Sequence, residues 1–263
     1  ADPGTDVCYE SATSVGQPFG LTFSNSGQAF VSAPNRDKVV LLGPEGSRRG
    51  ELRLPPGSIP LATLLDERAQ VAWVHAWGTN RVHGFRLRPS ASEPFSEPFS
   101  ELDLGSDPTP ARVRAGRRIF YDASFSAAGR FTCAHCHPGG RADGLMWDLS
   151  SRPFDEKGPL VTQSLLGLES KFPYHWRGER SLGDFNAAFR ELLGHATPLP
   201  AETFADLETF LFSLQQSANP HEDLPRRLVR RSGQGDPLVG QDIYVNLPAD
   251  GGFSCNDCHQ LPL

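Results

Sequence analysis

Apolar and polar positions alternate in short bursts over the first hundred residues and then settle into a helical rhythm. From Pro18 to Leu42 the chain reads PFGLTFSNSGQAFVSAPNRDKVVLL, and from Pro60 to Leu87 it reads PLATLLDERAQVAWVHAWGTNRVHGFRL. Each copy holds an apolar strand, a polar turn (Asn25, Ser26 and Gly27; Asp66, Glu67 and Arg68), a second strand after Gln28 or Gln70, another turn, and a third strand through Val39 or Val82. The opening prolines stand 42 residues apart, and ~40–45 residues with several strands is the period of a β-propeller blade. Two blades cannot close a ring that needs ~4–8. Unpaired outer strands and an apolar face bearing Trp73 and Trp77 therefore predict a partner chain, a missing segment or packing on the rest of the chain, a longer propeller protein being the first expectation.

The stretch SEPFSEPFS, from Ser92 to Ser100, places a proline every four residues and reads as an extended linker, unfit for a helix or a central strand. Beyond it Thr109 and Pro110 read as the N-cap and first position of a helix with Val113, Gly116 and Phe120 on one face. A second helix is predicted from Ala201 to Gln216, with Phe204, Leu207, Leu211 and Leu214 on one side, stopped by Asn219-Pro220. Residues 221–235 are polar and basic, a second linker.

Composition narrows the picture. Twenty-six glycines and 23 prolines among 263 residues imply long irregular loops and exclude a helical bundle. No apolar run approaches the ~18 residues that cross a bilayer. The net charge is −6, and no Lys/Arg stripe could neutralise phosphates, which excludes nucleic acid as a partner. Arg226, Arg227, Arg230 and Arg231 read as a solvated linker segment.

Four of the five cysteines fall into one repeated pattern, Cys133-Ala-His-Cys136-His137 and Cys255-Asn-Asp-Cys258-His259, leaving Cys8 unmatched. CxxCH suits haem c: two thiols three residues apart can add to the two vinyl groups of one porphyrin, and the next imidazole reaches the iron. A Cys₄ zinc site and a redox-active or disulfide pair are the competing uses. The distance from Cys136 to Cys255 far exceeds the ~15–20 residues of a zinc ribbon, and neither motif has the βαβ context of a thioredoxin-like site. The surroundings repeat too: Gly116-x-x-Ile119-Phe120 and Gly129-x-Phe131 precede the first motif, Gly240-x-x-Ile243-Tyr244 and Gly251-x-Phe253 the second. The organisation expected is two blade-like repeats and a linker over 1–105, a complete haem domain over 107–218, a linker over 219–235, and the start of a second, truncated haem domain over 236–263.

The run GRRIFYDASFSAAGRFTCAHCHPGGRADG, followed by PYHWRGERSLGDF and a helix ending FLFSLQQSANP, resembles the di-haem cytochrome c peroxidase and MauG superfamily, including members with a propeller-like N-terminal region. The resemblance implies a mixed fold: mainly-α, cytochrome c-like haem domains preceded by β-propeller-like blades, with the helix at Thr109 crossing the helix at Ala201 where Gly116 allows close approach. It implies two covalent haem c groups, held by Cys133, Cys136 and His137 and by Cys255, Cys258 and His259. Phe189 stands where electron-transfer members place an axial methionine, and the one methionine, Met146, limits His/Met ligation to one haem. His175, in PYHWRG, is the preferred distal group of the first haem, with Met146 and His195 as alternatives. Arg177 and Glu179 flank His175 and could polarise peroxide, or form a loop ion pair or propionate contacts. Trp147, Trp176 and Tyr244 are candidate electron relays or simple pocket packing, and His135 and His221 are expected in solvent.

The expected function is electron transfer by a di-haem cytochrome, with peroxide reduction as a possible activity and a redox protein or small donor or acceptor as partner. A non-enzymatic redox or assembly module docking through its β part is the alternative. CxxCH maturation outside the bacterial cytoplasm predicts a periplasmic or otherwise exported protein. The opening Ala-Asp-Pro-Gly itself has neither the basic nor the apolar region of a signal.

Overall fold

The structure is a computed structural model that describes residues 17–88, 95–129, 131–149, 158–223, 225, 227–230, 235–249 and 251–259. Cys8, Arg226, Arg231 and the residues after His259 lie outside them.

Each sequence repeat folds into a four-stranded antiparallel meander. The first consists of β1 (Leu21–Phe23), β2 (Ala29–Ala33), β3 (Lys38–Leu42) and β4 (Arg48–Arg53), paired in that order. The second consists of β5 (Pro60–Asp66), β6 (Val71–Ala76), β7 (Arg81–Leu87) and β8 (Phe95–Asp103), again in sequence order. Up-and-down four-stranded sheets are the topology of propeller blades. Strand β8 corrects the linker reading of the SEPFSEPFS stretch. Its Pro98 lies opposite Phe85 between two register shifts, on an edge strand, where a missing N–H is tolerated.

The two sheets share one core. Phe30, Val39, Leu41, Leu52 and Leu54 of the first repeat pack with Ala72, Val74, Ala76, Phe85 and Phe95 of the second, and the Phe30 and Phe95 rings meet edge-on at 5.9 Å. Burying each of the larger side chains contributes ~1.5–3 kcal/mol. Hydroxyls fasten the sheets together, the Thr22 side chain donating to the Thr63 carbonyl (2.7 Å) and that of Ser32 to the Leu61 carbonyl (3.0 Å). The sheets do not close on themselves. On the second sheet Leu64, Phe99 and Leu102 remain exposed, with the Trp73 ring edge-on to Phe99 at 5.8 Å.

His83 is the largest polar side chain fully buried among these described strands. It lies on β7 opposite Val74 and Glu101, is 1% exposed, and neither ring nitrogen makes a hydrogen bond. Glu101 Oε2 is 3.4 Å from Nδ1. Burial, and then the neighbouring Arg81 guanidinium, push its pKa below the ordinary value. A histidine that resists protonation when folded gives stability that is complete above the unfolded pKa, ~6.5, and is lost as pH falls toward the folded one. The urea midpoint is expected to drop between pH 7 and pH 5.5, and His83→Phe to remove much of that slope; an equal slope in the variant would contradict the assignment.

After the sheets come α1 (Ala111–Tyr121), the single helical turn α2 (Cys133–Cys136), the two-stranded ribbon β9 (Met146–Trp147) and β10 (Leu160–Val161), the turn α3 (Ala188–Glu191), α4 (Ala201–Ser213), α5 (Pro237–Asn246) and the turn α6 (Cys255–Cys258). The expectation of mainly-α haem domains is overturned. Between 107 and 218 the described residues hold two long helices; the rest is single turns, 3₁₀ segments and ribbon, and the antiparallel sheets account for much of the chain. Gly139 and Gly140, at φ 59° and 77° immediately after the first CxxCH, show the reason: this backbone turns left-handed where an α-helix would have to continue.

The crossing of α1 and α4 does form. A Cβ at Gly116 would lie 2.0 Å from the Asp206 carbonyl oxygen, and the fully buried Phe120 ring meets Phe210 at 5.3 Å. The chain divides into two compact units, one of residues up to Leu166 with Pro173–Leu214, the other of Gly167–Phe172 with the chain from Gln215. Within the first unit the β-sheets seat on α1. Arg117, 3% exposed, lies between the Trp77 ring (4.3 Å) and Asp107 Oδ2 (3.0 Å), and Trp77 meets Tyr121 edge-on at 5.7 Å. Hydrogen bonds from Thr109, aided by Arg117, hold the Asp107 carboxyl down at about 2. Among the described residues no helix is long and apolar enough to cross a membrane.

Candidate functional site

The two CxxCH motifs fold alike. Each pair of cysteines spans one helical turn, so positions i and i+3 share a side. The N–H of His137 donates to the Cys133 carbonyl and that of His259 to the Cys255 carbonyl, both at 2.9 Å. The histidine backbones nearly coincide, at φ −118°, ψ 63° and φ −116°, ψ 71°. Both turns are closed by a capping box: the Thr132 N–H donates to His135 Nδ1 at 3.0 Å, and the Ser254 N–H to Asp257 Oδ2 at 2.6 Å. His135 is therefore a cap, where a solvated side chain was expected. The four described cysteines are free thiols.

Local electrostatics separate the chemical uses of the first motif. Burial pushes the Cys133 thiol up to about 12, and burial followed by Asp143 raises Cys136. A nucleophilic CxxC pair needs the opposite shift. The His137 ring is held toward its neutral form by burial, partly offset by the Gln163 and Arg141 carbonyls, and no hydrogen bond of good geometry closes on its buried Nδ1. Neutral imidazole is the form that ligates a metal. Among the described residues no three His, Cys, Asp or Glu side chains converge on a bare metal ion.

The surface beside this turn is apolar and open. Met146 pairs with Val161 and Trp147 with Leu160 across the β9–β10 ribbon, and Asp143 fixes the ribbon's entry by accepting from Trp147 Nε1 at 2.8 Å. Trp176 Nε1 donates to the Val161 carbonyl (2.9 Å), which brings the PYHWRG hairpin to the same ribbon. Leu145, Met146, Trp147, Val161 and Trp176 are all exposed, Met146 to 67%. Apolar surface left open beside two thiols and an imidazole suits a large flat apolar ligand, so the residues present fit a porphyrin.

His175 sits at φ 74°, a backbone conformation seldom adopted by residues other than glycine. A tight turn keeps it there, with Gly178 donating to its carbonyl at 3.0 Å inside the Tyr174–Arg180 bridge. Nδ1 lies 2.6 Å from Glu179 Oε1. A carboxylate only accepts, so Nδ1 is the donor in that contact, the orientation that an outer carboxylate gives a ligand histidine. Glu179 thus pairs with His175, and Arg177 is exposed. His195 Nδ1 donates to the Thr197 carbonyl at 2.6 Å, while Phe189 is buried edge-on to Phe204 at 6.4 Å as core. In the second motif Tyr244 Oη donates to the His259 carbonyl at 2.5 Å, beside exposed Ile243, Leu247 and Phe253. Asp143, Thr132 and Gln17, whose amide reaches the first motif, were not legible as site residues; only Asp143 carries a local signal, as a turn former two residues before Leu145.

No family model matches the chain, and no curated protein does. Among solved structures it is similar to hydrazine synthase of Kuenenia stuttgartiensis (20% identity over 60% of this chain and 51% of that one, TM-score 0.42). It is also similar to a protein from Lactobacillus plantarum (12% identity, 36% and 28% coverage, TM-score 0.32) and to virginiamycin B lyase from Staphylococcus aureus (16%, 37% and 29%, TM-score 0.27). The chain spans about half or less of each of these structures.

Proposed function

We propose that this chain carries two covalent haem c groups and transfers electrons, with peroxide reduction as a second activity that requires His175 to leave the first iron. The observation that carries the reading is the pair of CxxCH turns with matching backbone, each beside exposed apolar side chains. At each site the two cysteines would hold the porphyrin as thioethers, and His137 or His259 would ligate the iron. When bound, such a group supplies one-electron chemistry at iron. Met146, Trp147 and Trp176 would give the first haem an apolar wall, and His175, oriented by Glu179, would offer Nε2 as a second ligand. Arg177, at the rim of that hairpin, can hold a propionate or an anionic oxygen.

Because haem c is attached outside the bacterial cytoplasm, the protein works in the periplasm or another exported location. Its redox partner is a protein or a small donor or acceptor. A second reading, a redox module docked through its β part, is favoured by one observation, the exposed Leu64, Phe99 and Leu102 on the open second sheet. A partner chain or further blade would cover that face.

Spin state tests the distal assignment. His175→Ala is expected to convert one haem of the oxidised protein to a high-spin spectrum and leave the other unchanged. Unchanged spectra in that variant, with a change in Met146→Leu instead, would move the first haem to His/Met ligation.

A further inference from the structure

The first CxxCH turn contains a backbone problem that the second does not. Ala134 lies between the two cysteines and is fully buried. In a continuing helix its carbonyl would accept from the N–H four residues on, but that residue is Pro138, which has none. A buried carbonyl needs a donor from somewhere. The matching residue of the second motif, Asn256, is followed four places later by Gln260, which keeps its N–H.

The missing donor comes from the β region. Gln17, just ahead of β1 and 7% exposed, donates from Nε2 to the Ala134 carbonyl. Its Oε1 accepts from the Thr132 hydroxyl at 3.4 Å, so one side-chain amide grips the turn on both sides of Cys133. Gln17 is itself held, its backbone N–H donating to Asn35 Oδ1 (3.3 Å) in the bend between β2 and β3. Asn35, Thr132 and Ala134 are all buried. A mobile surface amide could not hold a turn, whereas this one is fixed at both ends.

We propose that Gln17 is a positioning residue of the first haem site, replacing through the β region the hydrogen bond that Pro138 denies to Ala134. This rests on the haem reading above. Its consequence is that the blade-like part belongs structurally to the first haem site, so seating of the sheets sets how Cys136 and His137 meet the first porphyrin. Outer interactions of this kind tune the potential of a bound metal.

The test uses the full-length holoprotein. Gln17→Leu should shift the midpoint potential and the Soret circular dichroism of one haem and leave the other at its wild-type values. Gln17→Glu, nearly isosteric but without the N–H donors, should shift the same haem; it also serves if the leucine variant fails to fold. Adding Pro138→Ala restores an N–H at position 138, and the double variant Gln17→Leu/Pro138→Ala should recover part of the shift. Equal shifts at both haems, no shift at either, or no recovery with Pro138→Ala would overturn the proposal. If the wild-type protein holds no covalent haem, the functional reading fails instead, which its absorption spectrum reveals before any variant is made.

Discussion

Replacing Cys133 and Cys136 together by alanine is expected to halve the covalent haem content and to unfold the region between α1 and α4 first. The reasoning is local. Cys133 and Cys136 lie on one helical turn, His137 closes it, and the ribbon beside it leaves Met146, Trp147 and Trp176 open. A porphyrin seated there would extend the small core built by Phe120, Phe189, Phe204 and Phe210, since among the described residues between 107 and 218 the helical structure apart from α1 and α4 is single turns and 3₁₀ segments. The pyridine haemochrome absorbance per chain should fall by half, and trypsin should cut between residues 122 and 200 far faster than in the parent. Undiminished haem in the double variant would contradict the account, as would haem loss without any change in proteolysis.

Two glycines in equivalent places of the internal repeat should respond in opposite directions. At Gly116 an added Cβ meets the Asp206 carbonyl oxygen at 2.0 Å and its carbon at 2.6 Å. Both are backbone atoms of α4, so the helices must separate, opening the contact of Phe120 with Phe210. Gly116→Val is expected to destabilise the first unit by about 3 kcal/mol or more, the upper range of overpacking. At Gly240 a Cβ meets nothing within 4 Å. There Gly240→Ala should stabilise α5 by ~0.5–1 kcal/mol, because alanine loses less conformational freedom in a helix. Chemical denaturation of the two variants measures both effects; similar losses would mean that α5 packs as α1 does.

The two sheets were visible in the sequence because strand periodicity and the 42-residue offset act within each repeat. Their fourth strands were not. Arg48–Arg53 is an edge strand whose arginines and Glu51 hide the alternation, and Phe95–Asp103 is recruited by pairing with β7 although its prolines argue locally for a linker. Long-range pairing overrode propensity in both cases. The mainly-α expectation failed for a related reason: the resemblance concerned motifs, and the loops between them are set by turn residues such as Gly139 and Gly140 that end helices after one turn. At the candidate site the two CxxCH motifs were legible because their residue spacing is written in the sequence itself. His175 and Glu179 could be named, but their mutual contact depends on a left-handed turn that no periodicity marks. Gln17 was invisible, since its role arises from a contact across more than a hundred residues.

The central claim, two covalent haems on two equivalent turns, is tested most directly by intact mass spectrometry of the native protein under denaturing conditions. The account predicts a polypeptide mass increased by two haems, with the red colour retained through acid-acetone extraction. An excess of one haem would contradict the equivalence of the turns, and a mass without any haem would contradict the function assigned to both.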